Sequence, residues 1–154
     1  NSVPVSDAAT GFEVRVTATP ARHGPEGIEP VTGDVIGFVL EWEGATNDAL
    51  YVSGDTVWYE GVAQIGERFG RIGTAVLFLG GVRPAEGEPL LTMDAAGAVQ
   101  TMRTLSIKTV MPVHYEGWQH FIESRTVAEQ VFAKAGLDSR IVWLTPGEAQ
   151  SVAV

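Results

Sequence analysis

Ala75-Val76-Leu77-Phe78-Leu79 is an uninterrupted apolar run. It predicts a strand buried on both faces, with helices covering the sheet that contains it. Immediately upstream the period changes: Val62, Ile65, Gly66 and Phe69 recur at helical spacing, and Gly70 is placed to close that helix. Further upstream, Phe12, Val14, Val16 and Ala18 alternate with Glu13, Arg15 and Thr17, which predicts a half-buried strand over residues 12–19. Residues 35–42 and 49–53 read as two more strands joined by the polar link Gly44-Ala45-Thr46-Asn47-Asp48, a hairpin turn by composition. These three strands are expected to be antiparallel or mixed, and a Gly- and Pro-rich loop is expected over residues 20–33.

Downstream of the apolar run, Thr92 is a plausible N-cap for a helix with Asp94 in its first turn and Ala95, Ala98, Val99, Met102 and Leu105 on one face. Thr109-Val110-Met111-Pro112-Val113 follows as a strand, residues 126–135 read as a helix before Gly136, and Arg140-Ile141-Val142-Trp143-Leu144 reads as a last strand. Strands lead and βαβα alternation follows, so the class is α/β with a mixed sheet.

At 154 residues and 45% hydrophobic content the chain suits one domain with one core. Its net charge of -9, with no clustering of the ten basic residues, disfavours nucleic acid as a partner. The absence of cysteine excludes disulfides and thiolate zinc clusters, so any metal must be held by His and carboxylate. No apolar run approaches the roughly 20 residues that cross a bilayer, so no membrane span is expected, and the location is expected to be cytoplasmic. Residues 1–11 are small and polar, begin with Asn in place of Met, and read as a loop or linker lead, as in a fragment or a processed product.

Three apolar, β-branched runs end on residue types that bind divalent metals: His23 after residues 14–22, Asp55 after residues 50–54 and His114 after residues 109–113. In a layered α/β protein the loops at the carboxyl ends of the strands converge on one rim, so such residues become neighbours in space. Metal-assisted hydrolysis is therefore the first functional reading. Each residue also has a plainer one: a His after a strand is often a hydrogen-bonded loop residue, and Asp55 in Ser53-Gly54-Asp55-Thr56 can simply cap the next helix. On the functional reading Gly54 lets the backbone turn sharply and aim the Asp55 carboxylate into the cleft.

Ala21-Arg22-His23-Gly24, Ser53-Gly54-Asp55-Thr56 and Pro112-Val113-His114-Tyr115, in this order and approximate spacing, resemble the later ligand motifs of the metallo-β-lactamase superfamily. The likeness runs from about Val14 to Leu144 and is nearest to the hydrolase group containing ascorbate-6-phosphate lactonases and N-acylphosphatidylethanolamine phospholipases. It implies a two-metal hydrolase on an αββα sandwich, of which residues 12–154 would be the C-terminal, mixed-sheet half. It also implies that His23 binds the first metal, Asp55 bridges both and His114 binds the second. The ions would be zinc, with manganese or iron as alternatives, and a water acidified by both would attack an ester, lactone, phosphodiester or amide.

The superfamily's His-x-His-x-Asp-His segment is absent from this sequence, whose only other histidine is His120. The isolated chain is therefore expected to be inactive, and its expected partners are a small-molecule substrate and the missing N-terminal half or a second copy of the chain. Trp58, Tyr59, Tyr115 and His120 are candidate substrate contacts, although packing is the plainer reading of each aromatic and a surface or capping role that of His120. Gly80-Gly81 reads as a tight turn beside the cleft. Two rival functions are a non-catalytic binding or interaction module that keeps the fold and a flavodoxin-like nucleotide binder; the latter leaves the three strand-end residues unexplained.

Overall fold

The computed structural model describes residues 1–45 and 49–153. Its six strands are β1 (Ser2–Ser6), β2 (Glu13–Pro20), β3 (Ile36–Trp42), β4 (Ala49–Val52), β5 (Ile72–Phe78) and β6 (Thr109–Val113), in that spatial order across one sheet. Neighbours are antiparallel from β1 to β4 and parallel from β4 to β6. This is the mixed α/β sheet expected, with the change of direction at β4, beyond which helical crossovers connect the strands. The β3–β4 link proposed as a hairpin turn, Gly44 to Asp48, falls partly on residues 46–48, outside the described residues.

The helices are α1 (Glu29–Thr32), α2 (Glu60–Phe69), α3 (Ala95–Thr104) and α4 (Arg125–Lys134). Cross-strand register puts Thr17, Val39, Tyr51, Ala75 and Val110 on one face of the sheet, and all five are buried. Val62 and Ile65 of α2, Ala98 and Met102 of α3, and Ala128 and Phe132 of α4 join that core. The opposite face carries Val14, Val16, Phe38, Leu40, Leu50, Val52, Val76 and Phe78, every one only half-buried. The apolar run at residues 75–79 is thus fully covered on its helix side alone. Burial on both faces, the expectation from its composition, is not met within this chain.

Four local readings are corrected. The lead expected to be a loop contains β1, because Val3 and Val5 pair across to Val16 and Val14 and continue the half-exposed apolar face. Within the expected loop over residues 20–33, α1 adds one helical turn, started by a Pro in its first turn. Asp94, not Thr92, caps α3: its Oδ1 accepts from Gly97 N–H at 2.8 Å, while Thr92 Oγ1 accepts from Val82 N–H at 3.0 Å. The last strand does not form over residues 140–144. A 3-10 turn occupies Asp138–Arg140, and only Ile141 bridges to Val110, with Val142 N–H donating to Val110 O. No helix among the described residues is long and apolar enough to cross a membrane.

Candidate metal centre

The strand order brings the ends of β2, β4, β5 and β6 to one rim, and two of the three predicted ligands meet there. His114 Nε2 lies 3.7 Å from Asp55 Oδ1, with their side chains 27% and 36% exposed. Asp55 follows β4 through Gly54, whose φ of +61° is left-handed and whose Cβ, if present, would stand 2.7 Å from Ile36 O. The sharp turn expected of Gly54 is therefore required by both its backbone angle and its packing. Flanking side chains hold this loop: Ser53 Oγ accepts from Phe78 N–H at 2.9 Å, and Thr56 Oγ1 accepts from Arg22 N–H at 2.9 Å. Helix α2 begins at Glu60 behind Tyr59, so Asp55 is not its cap. Asp55 Oδ1 is buried and accepts no hydrogen bond.

His114 directly follows β6 with φ of +59°, one of two non-glycine residues in the left-handed region among those described. Its Nδ1 donates to Leu79 O at 3.2 Å. His23 makes the equivalent contact on its own loop, with Nδ1 donating to Leu91 O at 2.9 Å. A carbonyl oxygen can only accept, so in each neutral imidazole the proton sits on Nδ1 and the lone pair on Nε2. A backbone carbonyl holding the second nitrogen is the usual support of a metal-ligating histidine.

His23 is tied to the same rim, since Arg22 N–H donates to Thr56 Oγ1 and Arg22 O accepts from Val57 N–H at 2.9 Å. It does not close a cluster with the other two. Among the described residues no group of three His, Cys, Asp or Glu side chains stands close enough to hold a metal ion. The donors nevertheless suit one: an orphaned buried carboxylate oxygen beside an imidazole nitrogen that carries a lone pair is a partial ligand set for a borderline divalent cation.

The candidate substrate contacts separate. Tyr59 lines a cleft of about 210 Å³ with His23, Glu29 and Asp34, under the Arg22 guanidinium 4.4 Å from its ring centroid. Burial raises the Tyr59 phenol above its ordinary pKa, and Arg22 opposes that rise. Trp58 lines another cleft of about 420 Å³, beside Asp94 and Gly97 of the α3 start, with a buried indole N–H that has no partner.

Tyr115, 8% exposed, belongs to the core, edge-on to Trp143 at 5.3 Å. Burial raises the Tyr115 phenol above its ordinary pKa, with Glu116 and Glu129 adding to the rise and Arg125 opposing it, so its hydroxyl lies toward α4. His120 is exposed, stacked on Trp118 and edge-on to Phe121, which in turn meets His114 edge-on at 4.8 Å. The sequence reading missed Ser53 and Thr56 as the stitches of the Asp55 loop and Phe78 and Phe121 as the rings around His114. The Ser and Thr of Ser53-Gly54-Asp55-Thr56 were a visible signal; no local pattern marks the two rings.

A mixed α/β sheet with His and Asp residues at its strand ends is an arrangement that many proteins share, and comparison with known proteins narrows it. Residues 3–115 match the model of the beta-lactamase superfamily domain, and the chain belongs to that family. It is similar to a UPF0173 metal-dependent hydrolase of Pelotomaculum thermopropionicum, 31% identical over 90% of this chain and 58% of the relative. Another relative of that name, from Pyrococcus furiosus, is 26% identical over 89% of this chain and 55% of its own. The chain thus spans little more than half the length of the curated relatives it matches.

Among solved structures, its fold is similar to that of an isothiocyanate hydrolase from Delia radicum gut bacteria, with TM-score 0.80, 19% identity, and coverage of 98% of this chain and 59% of that one. The metallo hydrolase Igni18 from Ignicoccus hospitalis superimposes with TM-score 0.67 at 25% identity, over 95% of this chain and 56% of its own.

Proposed function

We propose that this chain is the part of a metal-dependent hydrolase that supplies Asp55, His114 and His23 to a dinuclear centre, with a second polypeptide segment supplying the remaining ligands. The observation that carries the reading is the Asp55 Oδ1 that accepts no hydrogen bond, 3.7 Å from His114 Nε2. Asp55 would bridge, because its two oxygens can serve two cations, and each histidine would offer Nε2 to one of them. When bound, such cations, zinc in the first place, polarise the scissile carbonyl or phosphoryl oxygen and acidify a water for attack.

This chain's residues would do the positioning: Leu79 O and Leu91 O hold the imidazoles, and Ser53 and Thr56 hold the Asp55 turn. Tyr59, beside His23, is the best placed of the substrate candidates, while His120 packs on Phe121, the ring that meets His114. The substrate is a small molecule with an ester, lactone, phosphodiester or amide bond; the likeness to ascorbate-6-phosphate lactonases and N-acylphosphatidylethanolamine phospholipases belongs to this same proposal.

The half-exposed apolar sheet face supports the view that the working form covers that face with the complementary segment or a second copy of the chain. A non-catalytic binding module is the second reading, favoured by the lack of a complete three-residue metal cluster among the described residues. Metal analysis of the polypeptide as encoded in its gene separates the two. About two equivalents of transition metal, with hydrolase activity lost on chelation, supports the enzyme. A metal-free, inactive protein that stays so when zinc is supplied supports the module.

A further inference from the structure

We infer that Phe121 and Glu123 are positioning residues that aim the His114 imidazole at Asp55. The inference rests on reading His114 as a metal ligand. His114 occupies a left-handed backbone conformation that a non-glycine residue holds only when its surroundings impose it. One hydrogen bond, from Nδ1 to Leu79 O, fixes one corner of the ring and leaves it free to swing about that contact.

Two aromatic rings remove this freedom. Phe78 stacks on the imidazole at 5.6 Å and 25°, and Phe121 meets it at 4.8 Å and 65°. Phe78 is rigid because it belongs to β5, between two paired strands. Phe121 has no such support, since it lies in the irregular segment between β6 and α4.

That segment is strapped down at its other side. Ile122 N–H and Glu123 N–H both donate to Gly80 O, at 3.0 and 3.2 Å. The Glu123 carboxylate accepts from Ala95 N–H, the first residue of α3, at 2.6 Å. Gly80 makes the approach possible: its φ is +101°, and a Cβ there would lie 2.6 Å from the Phe121 ring and 2.7 Å from His114 O. The glycine pair at the end of β5 is therefore more than a tight turn. It admits the ring that holds the ligand, and Glu123 locks that ring's loop to a helix.

The test uses the full chain with 15N-labelled histidine, whose three imidazoles are read by long-range proton–nitrogen correlation at about pH 8. Wild type should show His114 as a single Nδ1–H tautomer. Phe121→Ala should draw its two nitrogen shifts toward a tautomer average and weaken zinc binding about tenfold. Phe121→Tyr should restore both. Glu123→Ala should move His114 in the same direction by less, and Glu123→Gln, whose amide oxygen still accepts from Ala95 N–H, should not. His23, on a separate loop, serves as the reference for an intact fold.

Unchanged His114 shifts in Phe121→Ala overturn the inference whatever the metal does. If Phe121→Ala does not fold, Glu123→Ala decides by the same signals. Should His114 shift as expected while His114→Ala binds zinc as well as wild type, the positioning stands and the ligand reading falls.

Discussion

Asp55 Oδ1 and His114 Nε2 face each other at 3.7 Å, beyond hydrogen-bonding distance, and Oδ1 has no other partner. A buried carboxylate oxygen ordinarily finds a donor, since leaving it without one costs on the order of 1–3 kcal/mol. The pair is held open from both sides, by the Gly54 turn at Asp55 and by Leu79 O at His114. A cation between them would satisfy both atoms at once.

Replacing Asp55 with Asn should cost metal affinity more than the roughly 10–100-fold that loss of an outer partner does, because it removes the charge that balances the cations. His120→Ala, at a side chain that packs on the Trp118 and Phe121 rings, should cost less. Zinc titration of both variants, with circular dichroism to confirm the fold, makes the comparison. Equal binding by Asp55→Asn and wild type would remove Asp55 from the site.

The isolated chain should bind zinc or manganese weakly, since His23, Asp55 and His114 offer too few donors without the other half. Calorimetric titration measures this directly. Tight uptake of two metals by a monomer would show that this chain holds a complete ligand set.

Association is expected through the sheet face built from Phe38, Leu40, Val76 and Phe78. At roughly 25 cal/mol per Å² of apolar surface removed from water, covering that face gives a strong drive to dimerise or to capture a complementary segment. Leu40→Glu should shift the protein toward monomer in light scattering, paired with intact mass spectrometry. A monodisperse wild-type monomer with no second polypeptide would contradict the half-sandwich.

Asp94→Ala should lower stability by about 1 kcal/mol, the typical cost of losing an N-cap side chain. The lost bond is the 2.8 Å contact from Gly97 N–H to Asp94 Oδ1. Urea unfolding followed by far-ultraviolet dichroism checks it, and an unchanged midpoint would mean that solvent replaces the cap at no cost.

Glu123 gives a pH dependence of definite sign. Burial raises its carboxyl above the ordinary 4.5, with the Ala95 N–H bond opposing and Asp94 adding to the rise. The folded state therefore holds this proton more tightly than the unfolded chain does. Its stabilising contribution is fully present below the unfolded pKa and is lost as pH rises through the higher folded one. Relative to Glu123→Gln, wild type should lose stability across that window; a pH-independent difference between the two would contradict the assignment.

Residues 12–19 and 35–42 were legible because alternation of apolar and polar residues is a local property that also determines which side of a strand is buried. The α2 and α3 stripes were legible for the same reason at helical period. β1 was not, because so short a segment becomes a strand only through its pairing with β2, a relation outside its own residues. The end of the chain failed in the opposite direction: residues 140–144 have strand composition, yet only Ile141 makes a ladder contact.

By itself the sequence determined the mixed α/β class and the strand-end positions of His23, Asp55 and His114, since both follow from periodicity and from the residue types that close each run. Tertiary structure alone decided that Asp55 and His114 meet while His23 stays on its own loop, that Tyr115 turns into the core, and that Phe121 reaches His114. Those outcomes depend on strand order, on backbone angles at Gly54, Gly80 and His114, and on hydrogen bonds between loops distant in sequence. No local pattern encodes them, because each is a relation between segments that only packing brings together.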